Sequence, residues 1–205
     1  MAVNMPYFEP ADFVLPDISK NYLKILFSRH SKQEKILRLK KAFYVSKEYI
    51  DQTQKKGVYS DYLEFLANVL YPSSYLSLDY VLYEHNILTE IPKNFTSVSL
   101  NKTASFSSPL GHFIYHKIKK ELYYGFVIEK KGEFTVAKAT KAKALFDFLY
   151  FRKNIAVSPS AFRELRLNLE NFNKNDLREF KKYLAKDGSK RMENIYRYIL
   201  ETRKT

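Results

Sequence analysis

The chain predicts an α+β protein: an N-terminal winged helix-turn-helix, then an α/β domain with a small, mainly antiparallel sheet, then a helical C-terminal tail. Three observations lead there. A helix-periodic run from Ser19 precedes two short β-prone runs, Lys35 to Leu39 and Ala42 to Val45, joined by Lys40 and Lys41. Five further β-prone segments crowd the stretch from Thr96 to Ala137, punctuated by Pro109, Gly111, Gly125 and Gly132. Beyond Pro159 the apolar spacing is helical only.

Taken in order, Glu9 to Leu15 makes a helical turn ended by Pro16, which cannot continue a helix. Ser19 is the N-cap of a helix to about Ser28, with Tyr22, Leu23, Leu26 and Phe27 on the inner face. Its outer face carries Asn21, Lys24 and Ser28, with Lys20 beside them. The hairpin that follows has a cationic tip. Residues 51–57 contain no apolar side chain and read as a linker. The expected division is therefore a DNA-binding domain at 1–50, the linker at 51–57, and a larger domain at 58–205.

In the larger domain, Ser60 or Asp61 opens a helix stopped by Pro72, and Ser77 opens a second from Leu78 to Leu88. Strands are expected at Thr96 to Leu100, Ala104 to Ser107, Phe113 to Ile118, Phe126 to Glu129 and Phe134 to Ala137. Ala139 to Arg152 is helical and apolar nearly all round, which buries it under the sheet. The tail holds helices from Phe162 to Leu169, from Asn175 or Asp176 to Lys186, and from about Ser189 onward. Their inward residues are Leu177, Phe180 and Leu184, then Met192, Ile195, Tyr196 and Ile199.

Charge points to a partner. The 205 residues hold 35 Lys and Arg against 22 Asp and Glu, a net +13 that attracts polyanions. Nine of the cations and a single acid, Glu34, fall between Ser19 and Lys47. A helix fits the major groove while a hairpin tip lies over phosphate, so the DNA-binding candidates are Ser19, Lys20, Asn21, Lys24, Ser28, Arg29, Lys32, Arg38, Lys40 and Lys41. Asn21 is the candidate reader of adenine. A second basic surface is expected from Lys181, Lys182, Lys186, Arg191 and Arg197.

Other chemistries lack their residues. With 0 Cys there is no disulfide scaffold, Cys-ligated zinc, iron-sulfur cluster or thiol nucleophile. The five glycines are isolated, which excludes a P-loop and a dinucleotide fingerprint, and no cofactor is expected. His112 and His116 stand on one strand face but two pleats apart, without a carboxylate companion, and no metal site is expected. Asp61, Glu64, Asp79, Glu84 and Glu90 read as lying on separate polar faces. Asp147 is the one carboxylate in an apolar helix; with Lys143 four residues earlier it reads as an anchor. The start, MAVNMPYFEPADF, lacks the cationic and apolar stretches of a signal peptide, so a cytoplasmic protein with no membrane partner is expected.

Several runs together resemble a known family. They are ILRLKKAFYV at 36–45, PSSYLSLDYVLYEHNIL at 72–88, EIP at 90–92, TSVSL at 96–100, TASF at 103–106, GHFIYHKI at 111–118, YGF at 124–126 and VAKATKAKALFDFLY at 136–150. In this order and spacing they resemble the AbiEi-type antitoxins of the abortive-infection type IV toxin-antitoxin systems. The pattern departs at Ala42, where the family's wing has Gly, and at Lys141 and Ala142, where it has Pro-Glu. The resemblance implies a phage-defence antitoxin that represses its own operon by binding double-stranded operator DNA through its N-terminal domain. It also implies that the larger domain counteracts a nucleotidyltransferase-like toxin. The alternatives are a transcription factor with a sensing or dimerising C-terminal domain and no toxin, and a nucleic-acid-processing enzyme using Asp147. No catalytic residue is assigned.

Overall fold

Most helices begin at a side chain that satisfies an otherwise orphaned backbone N–H. In the computed structural model, which describes residues 4–13, 19–152, 154 and 158–203, the Ser19 hydroxyl accepts from the Tyr22 N–H at 3.1 Å and opens α1 (Lys20–Lys32). The strands β1 (Ile36–Lys40) and β2 (Phe43–Ser46) form an antiparallel hairpin. Its turn places Ala42 at φ +66°, in the left-handed region that favours glycine. Ser46 then accepts from the Tyr49 N–H at 3.1 Å and opens α2 (Lys47–Lys55). Ahead of α1 a 3₁₀ turn covers Pro10–Phe13, and Phe8 bridges antiparallel to Tyr44. Leu15 and Pro16, expected to end that turn, lie outside the described residues.

The hairpin packs on both faces. Ile36 and Tyr44 join Phe8, Leu23 and Phe27 of α1 in a small aromatic cluster. Leu39 and Val45 join Tyr49, Ile50 and the main core. This continuity corrects the linker reading: residues 51–55 are the second half of α2, Thr53 is buried, and its hydroxyl donates to the Ile50 carbonyl at 2.7 Å. The amphipathic period that starts with Tyr49 and Ile50 runs across the stretch 51–57, so a lack of apolar residues there did not mean a lack of packing. Two inner-face assignments in α1 also change. Tyr22 is 55% exposed and Leu26 only half-buried, because Leu23 and Phe27 alone set the buried direction.

Gly57, at φ +70°, turns the chain into α3 (Tyr59–Val69). The remaining elements are β3 (Ser74–Leu76), α4 (Leu78–Glu84), β4 (Phe95–Ser99), β5 (Ala104–Ser108), β6 (Gly111–Lys117), β7 (Phe126–Lys131), β8 (Phe134–Ala139), α5 (Lys141–Phe151), α6 (Pro159–Glu164), α7 (Lys174–Asp187) and α8 (Lys190–Thr202). The six strands β3 to β8 lie in the order β5-β6-β4-β3-β8-β7. The sheet is mixed: β4 with β6 and β3 with β8 are parallel, and the other three pairings are antiparallel. Its central strand β3 has three residues, too few to show a period in sequence, and all three are buried. In the tail, Phe180 and Tyr183 are the buried residues of α7, while Leu177 and Leu184 are half-buried. His85 caps the C-terminus of α4 and is exposed.

α5 covers the sheet as its apolar run requires, and Thr140 caps it through the Lys143 N–H at 3.2 Å. Inside it, Lys143 and Asp147 are fully buried and pair at 2.7 Å. Asp147 also accepts from the Ser77 hydroxyl at 2.8 Å and the Tyr75 hydroxyl at 3.1 Å, and Lys143 donates to the Leu122 carbonyl at 2.8 Å. Burial pushes the Asp147 carboxyl above the usual carboxylate range, against the opposing pull of Lys143, Ser77 and Tyr75. Removing one partner strands the other charge: Lys143→Met or Asp147→Ala is expected to lower unfolding free energy by about 3–5 kcal/mol. The double change Lys143→Met with Asp147→Leu is expected to cost less than either alone. Denaturant melts of the three variants check this; equal losses in all three would show that the charge is not the cause.

Candidate nucleic-acid interface

With Leu23 and Phe27 turned inward, the 100° step of the helix carries Asn21, Ile25, Ser28 and Lys32 to the opposite side of α1, flanked by Lys24 and Arg29. All six are exposed. Arg38 stands on β1, exposed, and its Nε donates to the Lys40 carbonyl at 3.3 Å. Between the helix and the hairpin lies an open groove of about 430 Å³ lined by Lys24, Ser28, Ser31, Lys32, Arg38 and Tyr44, with Pro10 and Phe27. The fold thus gathers Lys24, Ser28, Lys32 and Arg38, spread over two elements of the chain, into one concave, cationic wall. Ser19 serves as the helix cap, and nothing is described of the Lys20 side chain.

Several cations of the main body are neutralised: Lys138 pairs with Glu64 at 2.7 Å and Glu84 at 2.8 Å, Lys131 with Glu64 at 2.8 Å, Lys141 with Asp176 at 2.8 Å, and Arg152 with Asp79 at 2.7 Å. Glu64 and Glu84, expected on separate faces, meet on that one lysine because the fold brings α3 and α4 to it together. On α1 and the hairpin, among the described residues, no ion pair engages Lys24, Arg29, Lys32, Lys35, Arg38 or Lys41. Exposed cations without acidic neighbours keep their attraction for phosphate and release counterions when they meet it.

The expected hairpin-tip pair divides. Lys41 is exposed, whereas Lys40 folds back: its ammonium donates to the Leu70 carbonyl and sits 4.0 Å from the Phe43 ring centre. Burial lowers its pKa, with Glu9 pulling the other way. Lys40 ties the hairpin to the end of α3 and is not a free phosphate ligand. The second basic surface also divides. Arg191 donates to the Leu149 and Tyr150 carbonyls at 3.1 and 2.9 Å and so caps the last turn of α5. Lys181, Lys182, Lys186 and Arg197 are exposed; Arg197 bonds the Asn194 side chain and Lys181 lies 5.6 Å from the Tyr196 ring centre.

Elsewhere, His112 meets the Ser107 hydroxyl at 2.6 Å and His116 packs on Phe151 at 5.1 Å, so the two rings serve different neighbours. The oxygens of Asp147 already accept three hydrogen bonds in a site closed to solvent, the geometry of an anchor. Sequence reasoning missed Ile25, 53% exposed at the middle of the outer face of α1; its signal was the angle, since residue 25 stands about 200° from residue 23.

No protein-family profile and no curated protein matches the chain. The division at the hairpin tip yields a direct expectation: Lys40→Ala lowers the melting stability by about 1 kcal/mol, because the Leu70 carbonyl and the Phe43 ring are left without their cation. Lys41→Ala leaves melting unchanged and lowers affinity for polyanions. Equal effects of both variants on melting would mean that Lys40 is not an anchor.

Proposed function

We propose that the chain binds operator DNA through α1 and its hairpin, acting as a reduced winged helix-turn-helix that represses its own operon. In this reading it is the antitoxin of a type IV abortive-infection system, and its larger domain counteracts a nucleotidyltransferase-like toxin. The observation that carries the DNA-binding part is the set of exposed, unpaired cations lining the groove between α1 and β1. The antitoxin part rests on the resemblance of the runs between 36 and 150.

The roles divide by chemistry. Lys24, Lys32, Arg38 and Lys41 neutralise phosphate and fix the position of the helix on the duplex. Asn21 offers the amide that adenine accepts in bidentate fashion, and Ser28 a hydroxyl that serves either base or phosphate. Arg29, at the outer flank of the last turns of α1, reaches the backbone beyond. No reaction is proposed.

Gel-shift titration on the operon's upstream region tests this. Changing Lys24, Lys32 and Arg38 together to Gln is expected to weaken binding to every sequence alike and to lower the salt slope by about 0.9 for each phosphate no longer neutralised. Asn21→Ala is expected to narrow the gap between operator and random DNA by about 1–3 kcal/mol. Unchanged binding in the triple variant overturns the interface. For the antitoxin role, the full chain is expected to restore growth when co-expressed with the toxin encoded beside it; failure to do so removes that part alone.

A further inference from the structure

We infer that the outer face of α7 is a second, separate site for the phosphodiester backbone of a nucleic-acid strand. Phe180 and Tyr183 bury one side of this helix. The opposite side carries Lys174, Arg178, Lys182 and Lys186 at a repeat of four residues, all exposed. Each step of four residues rises about 6 Å along the helix, close to the spacing of successive phosphates along one strand.

The acids of the same helix are engaged by other partners, although one of them, Glu179, borders the stripe beside Arg178 and Lys182. Asp176 holds Lys141 at 2.8 Å, Glu179 accepts from the Thr140 hydroxyl at 2.6 Å and from the Tyr183 hydroxyl, and Asp187 accepts from Ser189. Among the described residues none of the four stripe cations has an ion pair. Like charges four apart repel and destabilise a helix. Three consecutive repulsive steps on one face thus oppose folding and favour any ligand that brings negative charge to every step.

Beside the stripe an open groove of about 400 Å³ is lined by Tyr124, Gly125, Asn175, Arg178, Glu179, Lys182 and Tyr183, the Glu179 carboxylate being held by the Thr140 and Tyr183 hydroxyls. The Tyr124 hydroxyl donates to the Lys182 carbonyl at 3.2 Å, which holds the ring along the cationic row. Cations interleaved with an aromatic ring and an amide suit a sugar-phosphate chain with bases to stack on; an acidic peptide would use the charges alone. Gly125, at φ +84°, keeps the groove floor low, since a Cβ there would collide with the Tyr183 hydroxyl. The site is built by α7 and the turn before β7, elements distinct from α1 and the hairpin, so it stands independently of the function proposed above.

The test uses the full chain and three probes: a fluorescent duplex DNA of random sequence, a single-stranded RNA, and a polyglutamate peptide. Changing Lys174, Arg178, Lys182 and Lys186 together to Gln is expected to leave melting unchanged or raise it, since repulsion is removed. The same variant is expected to lower the salt slope for nucleic acid by about 2–4, from roughly 0.9 per phosphate on duplex or 0.7 on single strand. The relative loss on the two nucleic-acid probes tells duplex from single strand. An unchanged slope overturns the inference, and so does polyglutamate that binds as tightly as RNA and loses affinity equally in the variant. Loss of all nucleic-acid binding in the Lys24, Lys32 and Arg38 variant, with none in the α7 variant, also overturns it and leaves the operator-binding reading intact. The converse result removes that reading and keeps this site.

Discussion

At the centre of the larger sheet an ammonium and a carboxylate share a space that water does not reach. Moving Lys143 and Asp147 out of solvent costs several kcal/mol per ion, and their mutual attraction offsets this only where the remaining valences are also met. Here they are met from three directions: Tyr75 in the central strand β3, Ser77 at the entry to α4, and the Leu122 carbonyl ahead of β7. The pair therefore fixes where α5 lies across the sheet. It also explains why Ser77 precedes α4 without capping it, since its hydroxyl is committed to Asp147. Everything that packs on α5, including α7 and the Arg191 cap, takes its position from this arrangement.

The small N-terminal unit depends on the same core at one remove. Its hairpin shows one face to α1 and the other to α2, α3 and the sheet, and β1 lies against β5. Tyr7 stacks on Phe43 at 5.4 Å, and the Tyr62 hydroxyl reaches the Pro6 carbonyl at 2.7 Å. Lys40 completes the attachment. A basic helix mounted this way is carried on a shared core and oriented by it, as the proposed docking of its outer face on a duplex requires.

Charge is sorted by the fold and not by the chain. Acids that fall singly along the sequence gather against lysines at Glu64, Glu84 and Lys138, or are held by partners outside α7 as Asp176 is by Lys141, while the cations of α1 and the row along α7 are left facing water. Part of the net +13 is thereby gathered on two helical faces. Counterion release at either face scales with how many phosphates that face can reach together.

The sequence by itself determined what local physics controls. The Ser19 cap, the buried stripe of Leu23 and Phe27, the hairpin around Lys41 and the apolar helix over 141–151 all follow from propensity and period, and all are present. Only the tertiary structure decided the rest. β3 is three residues long and carries no period, so its place between β4 and β8, and with it the parallel pairings, depends on partners distant in sequence. The stretch 51–57 is polar in composition, yet the burial of Thr53 is set by what α2 rests on. Lys40 and Lys41 are adjacent and chemically identical; which of them faces solvent follows from a carbonyl at Leu70, thirty residues away. A cation's role is fixed by its neighbours in space, and sequence gives its neighbours only along the chain.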